Sequence, residues 1–97
     1  SMVEQAGIDP RVVDDVVMCE SGWRTTATNN HNPNGSIDRG IFQFNSVHRI
    51  PAEELYDPIR STLHAINLIK SRGFSPWVCY HKIYRNTVIY TLAGTSP

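Results

Sequence analysis

The sequence predicts an α+β domain, mostly helical, with one small β-hairpin. Two Asp-Pro steps carry most of that expectation: Asp9-Pro10 and Asp57-Pro58 are each followed by apolar residues at helical spacing. The stretch between them supplies the rest. Thr25 to Asp38 is dense in Asn, Thr, Gly, Pro and Ser, and it gives way to a short apolar segment. A chain of 97 residues has room for one core. The domain is expected over residues 3–97, with Ser1-Met2 reading as a cloning scar.

The first helix starts with Asp9 as N-cap and Pro10 in the first turn. Val12, Val13, Val16, Val17 and Cys19 return to one face, while Arg11, Asp14 and Asp15 face water. Ser21-Gly22 should end it, leaving Glu20 in the last turn. A negative charge at a helix C-terminus opposes the helix dipole, so this position favours a protonated carboxyl. Pro33-Asn34-Gly35-Ser36 reads as a tight turn, and Ile41, Phe42 and Phe44 form an apolar segment after Gly40. A hairpin fits, with Asp38 on its second arm.

The second long helix starts at Asp57-Pro58 and steps through Ile59, Leu63, Ile66 and Ile69. Arg72 and Gly73 give it a basic last turn and a terminating glycine. Ser75-Pro76 opens another helix through Trp77, Val78, Tyr80, His81 and Tyr84. Thr87 to Leu92 is β-branched and apolar, and its state stays undecided between helix and strand.

Bulk properties exclude several roles. Nine basic and nine acidic side chains cancel, which argues against a binder of nucleic acid or anionic membrane that works through bulk charge. No apolar run approaches the roughly 18–20 residues that span a bilayer, and the N-terminus lacks a basic, apolar leader. Behind a cloning scar, that lack excludes no compartment. His31, His48, His64 and His81 show no metal-ligand spacing, and Cys19 and Cys79 form no CxxC pair. Neither a metal nor a cofactor is expected. The two cysteines leave two alternatives: buried thiols that pack as small hydrophobes, or a disulfide worth roughly 3–4 kcal/mol by the chain-entropy model.

Glu20 and Asp38 carry the chemistry. Glu20 closes a hydrophobic helical run, where burial keeps its proton; Asp38 lies among Asn, Ser, Arg and Gly, where it stays ionised. Two acids whose surroundings push them apart are what acid-assisted cleavage of a sugar–sugar bond requires. The plain alternatives are a solvated helix-end Glu and a turn-capping Asp. Arg39, beside Asp38, would favour its ionised form if the two side chains approach. Gln43 and Asn45 alternate on the hairpin, where they bind sugar amides and hydroxyls or bond across strands. Ser21 either supports the Glu20 carboxyl or caps the chain turn. Trp23 and Trp77 are assigned to the core, and Tyr80 is kept as a binding candidate.

Two stretches, Glu20-Ser21-Gly22-Trp23 and Gly35-Ser36-Ile37-Asp38-Arg39-Gly40-Ile41-Phe42-Gln43-Phe44-Asn45-Ser46, resemble the lysozyme superfamily. In animal-type lysozymes a catalytic Glu-Ser precedes a polar loop and a hairpin of this pattern. The paired-carboxylate argument is lysozyme's own, so the likeness and that argument are not independent. Cys19 before Glu20, with Trp77-Val78-Cys79 near the end, is similar to the resuscitation-promoting factors of actinobacteria, and that likeness implies a Cys19–Cys79 disulfide. The Glu-Ser, Gly-x-x-Gln and late Trp/Tyr pattern also looks like soluble lytic transglycosylase domains, including those of phage tail proteins. Against animal lysozymes, the loop between the carboxylates is about one residue longer, the chain is shorter and only two cysteines are present.

The resemblance implies a lysozyme-like domain whose hairpin lines a cleft, with Glu20 as general acid, Asp38 as second carboxylate, and Ser21, Gln43, Asn45 and Tyr80 on the substrate. It implies cleavage of the β-1,4 bond between N-acetylmuramic acid and N-acetylglucosamine in peptidoglycan. With Asp38 engaged at about 5–5.5 Å from its partner acid, the outcome is hydrolysis with retention. That is the first reading; the alternative is Glu20 alone, first as acid and then as base, where the muramyl 6-hydroxyl closes on C1 and leaves an anhydro end. The competing classes are a non-catalytic wall-binding module and a structural virion domain. The expected setting is extracytoplasmic: a secreted wall enzyme, a phage lysin or a virion module. The expected state is monomeric, as part of a larger protein, with glycan strands as the partner and no insertion into membrane.

Overall fold

A computed structural model describes residues 1–84 of the chain. Five helices and a three-stranded antiparallel sheet make up the described part: α1 (Met2–Gln5), α2 (Pro10–Ser21), β1 (Thr28–Asn29), β2 (Asp38–Arg39), β3 (Phe44–Asn45), α3 (Ala52–Leu55), α4 (Pro58–Arg72) and α5 (Val78–Ile83). A 3-10 turn over Ser46–His48 follows β3. Among the described residues no helix is long and apolar enough to cross a membrane. The segment Thr87 to Leu92 lies outside the described residues.

Both Asp-Pro steps start helices as the sequence predicts. Asp9 Oδ1 accepts from the Arg11 N–H at 2.9 Å, and Asp57 Oδ1 accepts from Ile59 N–H at 2.9 Å and Arg60 N–H at 3.1 Å. These side chains satisfy donors that a helix start leaves open. α2 ends where Gly22 turns left-handed (φ 61°) and returns its N–H to Met18 O at 3.0 Å. Gly73 closes α4 with a bond to Ile69 O at 2.7 Å.

The core gathers Val13, Val16 and Val17 from α2, Ile41, Phe42 and Phe44 from the sheet region, Leu55 from α3, Ala65, Ile66 and Ile69 from α4, and Trp77. Two apolar faces differ from expectation. Ile59 and Leu63 are 62% and 51% exposed, and the buried stripe of α4 runs instead through Ser61, Ala65, Ile66 and Ile69. A spacing of three or four fits both stripes, and the short side chains of Ser61 and Ala65 allow the closer helix contact. Cys19 is exposed and Cys79 buried, yet they are joined in a disulfide that ties α2 to α5 across 60 residues. α5 begins at Val78 with Trp77 as its cap, two residues later than Ser75-Pro76 suggested.

The sheet is the hairpin with one more strand. Strand order is β1-β2-β3, with Asn29 opposite Asp38 and Asp38 opposite Asn45. Directly paired residues share a face of a sheet, so this register aligns two asparagines with the aspartate. The predicted turn closes one residue early, through a bond from Gly35 N–H to Asn32 O at 3.0 Å. Gly40 (φ 82°) forms the corner after β2, and a Cβ there would lie 2.0 Å from Leu55 O. Only glycine lets the sheet approach α3 this closely.

Candidate active site

Between α2, the sheet and the start of α5 lies a cleft of about 270 Å³. Glu20 and Asp38 both line it, together with Gln43, Phe44, Asn45, His48, Leu68 and Trp77. The fold therefore joins two carboxylates that stand 18 positions apart in the chain.

Glu20 sits in the last turn of α2 and is half-buried. Burial, the largest influence, pushes its carboxyl above the ordinary value; the backbone N–H of Cys79 pulls it back, the charge of Asp38 raises it again, and Lys82 lowers it. That backbone donor follows from the covalent structure. Cys79 stands in the first turn of α5, where N–H groups have no partner within the helix. The disulfide fixes it beside residue 19. The cystine thus sets the surroundings of the neighbouring acid as well as joining two helices.

Asp38 is held differently. Asn29 Nδ2 and Asn32 Nδ2 donate to its Oδ2 at 3.1 and 3.0 Å, and Asn45 Nδ2 donates to its Oδ1 at 2.8 Å. Asn29 and Asn45 reach it through the strand register, and Asn32 reaches it from the turn. Arg39 makes no ion pair with Asp38 among the described residues. Adjacent strand residues point to opposite faces, which separates the two side chains.

The other candidates divide. Gln43 lines the cleft, but its Nε2 is engaged by Ala27 O at 3.1 Å and Gly40 O at 2.9 Å, and its own backbone is left-handed (φ 53°). Asn45 lines the cleft with its amide shared between Asp38 and Ser36 and its oxygen accepting from Val47 N–H at 3.0 Å. Both shape the wall through structural bonds. Ser21 does not reach the cleft surface: it is buried, and its hydroxyl donates to Ile41 O at 2.8 Å and Val17 O at 3.2 Å. It holds the end of α2 to the sheet corner. Tyr80 is also absent from the lining; it stacks on Phe74 at 5.3 Å, with the planes 16° apart.

The tryptophans also part ways. Trp77 is buried as expected, donates its indole N–H to Phe42 O at 3.0 Å and shows an edge to the cleft. Trp23, expected in the core, is 43% exposed, because its backbone is left-handed (φ 63°) and its indole N–H is held by Asp14 at 2.8 Å. It lines a separate apolar groove with Met2, Pro10 and Ile59. Sequence reasoning missed His48 as a cleft residue and Asn29 and Asn32 as partners of Asp38. The asparagines had one signal, their density in the loop before the aspartate; His48 had none. Among the described residues no group of His, Cys, Asp and Glu is arranged to hold a metal.

The family described as transglycosylase SLT domain matches residues 2–73. Solved structures of lysozymes are similar to this chain. One is the lysozyme of Equus asinus, at 26% identity and TM-score 0.68, covering 79% of this chain and 72% of that one. Another is the lysozyme of Litopenaeus vannamei, at 26% identity and TM-score 0.65, covering 90% and 82%. Recombinant canine milk lysozyme aligns over 99% of this chain and 92% of its own with TM-score 0.71; at 24% identity that likeness speaks to the fold.

Proposed function

The chain belongs to the transglycosylase SLT domain family, and from that premise we propose that it cleaves the β-1,4 bond between N-acetylmuramic acid and N-acetylglucosamine in peptidoglycan. Glu20 is the proton donor. The observation that carries this reading is a half-buried carboxyl at a helix end, pushed toward its protonated form chiefly by burial, in a cleft shared with a second acid. A group so placed keeps its proton to higher pH than an exposed carboxyl does, which suits a proton donor to a glycosidic oxygen.

In this reading Glu20 donates its proton to the leaving oxygen as the C1–O bond breaks and positive charge develops on C1 and the ring oxygen. The Glu20 carboxylate then takes the proton of the muramyl 6-hydroxyl as that oxygen bonds to C1, which returns the acid to its starting form. The products are a 1,6-anhydromuramyl end and a free hydroxyl on the departing glucosamine. Asp38 acts as fixed charge: its oxygens accept three amide bonds, and its charge favours the protonated form of Glu20. The family match supports the anhydro outcome, as does a second acid already engaged by three side chains.

A second reading rests on the lining of Asp38 in the same cleft: it meets C1 directly and water completes a hydrolysis. Product mass separates the two, since an anhydromuramyl end is one water lighter than a reducing end. Muropeptides released by the parent protein and by Glu20→Gln test both together. Reducing ends alone would sink the transglycosylase reading, and equal release by the two proteins would sink the role of Glu20. Peptidoglycan lies outside the membrane, so the setting is extracytoplasmic, which the Cys19–Cys79 disulfide suits.

A further inference from the structure

The polar wall of the cleft continues past the two acids. Asn45 borders the cleft on one side and, on the other, a shallower polar groove of about 490 Å³ that passes Ser36 and Ser46 to reach Arg49. His48 stands on the cleft side of the same turn, exposed, with its ring edge-on to Phe44 at 5.6 Å. Two bases thus follow one another along the rim, and among the described residues neither has an acidic partner. Of the two acids that come next in the chain, Glu53 and Glu54, the second is engaged by His64 at 2.8 Å.

Arg49 takes a left-handed conformation (φ 57°, ψ 33°) and closes the 3-10 turn with its N–H on Ser46 O at 3.1 Å. Glycine or asparagine adopts that backbone more cheaply, so the turn alone does not account for an arginine. The ridge between cleft and groove is firm, because the Asn45 side chain is bonded at both ends.

The sugars of the proposed substrate are uncharged. Their negative charge sits on the 3-O substituent of the muramyl residue, as the lactyl carboxylate or as the carboxylates of a peptide attached to it. The charge of Asp38 disfavours such a group inside the cleft, whereas the rim beyond Asn45 carries a permanent cation able to bind a carboxylate through paired N–H donors. We infer that Arg49, assisted by His48, receives a carboxylate borne on the muramyl side chain, so that this groove selects muramyl-containing strands over uncharged N-acetylglucosamine polymers. The inference rests on the peptidoglycan-cleaving reading of the cleft.

Initial rates of the parent, Arg49→Gly, Arg49→Lys and His48→Gln test it on peptide-bearing glycan strands and on strands trimmed by an amidase, with a chito-oligosaccharide as competitive inhibitor. Arg49→Gly should raise KM for peptide-bearing strands about two- to fivefold, with kcat within about twofold, as expected for loss of one exposed charge contact. Its inhibition by chito-oligosaccharide should be unchanged and its melting temperature no lower, since glycine suits the backbone. Arg49→Lys should recover most of the loss, and His48→Gln should raise KM about twofold. A loss confined to peptide-bearing strands assigns the contact to the peptide's carboxylates; an equal loss on trimmed strands, where the lactyl carboxyl is freed from its amide, shows that the site takes either carboxylate. An unchanged KM on both, or equal weakening of chito-oligosaccharide, overturns the inference. A parent that releases nothing from either strand overturns the reading of the cleft itself, which is a separate result.

Discussion

Glu20 and Asp38 face one cleft, yet the two walls treat the same functional group in opposite ways. The helical wall half-buries Glu20 and offers it the backbone N–H of Cys79. The sheet wall gives Asp38 three side-chain amides. Desolvation penalises charge, whereas N–H donors stabilise it. In the proposed reaction the difference would divide the labour: one carboxyl gives its proton to the substrate, and the other is held in place by its amide partners. It also differs in what maintains it. The helical wall depends on a covalent link between distant helices, while the sheet wall depends on strand register.

The largest expected effect breaks the helical wall at its acid. Glu20→Gln should lower muropeptide release about 10²–10⁴-fold, the range attributed to a positioned general acid, while far-UV circular dichroism stays unchanged. Residual activity within tenfold of the parent would mean that another group protonates the leaving oxygen. Next comes the link that builds this wall. Cys79→Ser opens a loop of 60 residues and should cost about 3–4 kcal/mol in urea or thermal unfolding. It should also lower activity at temperatures where the variant is still folded, because the Cys79 N–H then loses its fixed place beside Glu20.

The sheet wall should be more forgiving in catalysis. Asp38→Asn turns an acceptor of three amides into a side chain with its own donors, so at least one part-buried bond is lost, at about 1 kcal/mol of stability. Activity should fall less than about tenfold if Asp38 serves as fixed charge; a nucleophile would cost orders of magnitude more. The variant should also lose activity at lower pH than the parent, since removing the Asp38 charge removes one influence that raises Glu20.

The smallest effect is in pH-dependent stability. Burial raises the Glu20 carboxyl above its ordinary value, so folding favours the protonated form. The resulting stabilisation is fully present below the unfolded carboxyl value, about 4.3, and is lost as pH rises through the raised folded value. Glu20→Gln does not titrate. Its melting temperature relative to the parent should therefore be higher near pH 7 than below pH 4. A constant difference across that range would show that the acid is not desolvated.

Much of this contrast is legible in the chain. The Asp-Pro starts, the glycines that end α2 and α4, and the position of Glu20 in a last turn all follow from local chemistry that tertiary contacts did not override. Asp38 on the hairpin's second arm is equally readable, because Asn and Gly mark the turn before it, though the third strand is not. What escaped depends on contacts between distant residues. Periodicity does not tell the Ile59–Leu63 stripe from the Ser61–Ala65 stripe on α4, since the choice rests on how closely a neighbour approaches. Trp23 belongs by composition in the core, and a left-handed backbone turned it outward. Asn29 and Asn32 read as ordinary loop residues until strand register sets them against Asp38.

Trp77 gives the molecule a property of another kind. Its indole is buried, anchored to Phe42 O and edged onto the cleft, whereas the chain's other tryptophan, Trp23, is exposed in a separate groove. In a Trp23→Phe protein all indole emission would come from the wall of the cleft. Such a molecule carries its own optical gauge of occupancy, with no dye attached and no turnover required.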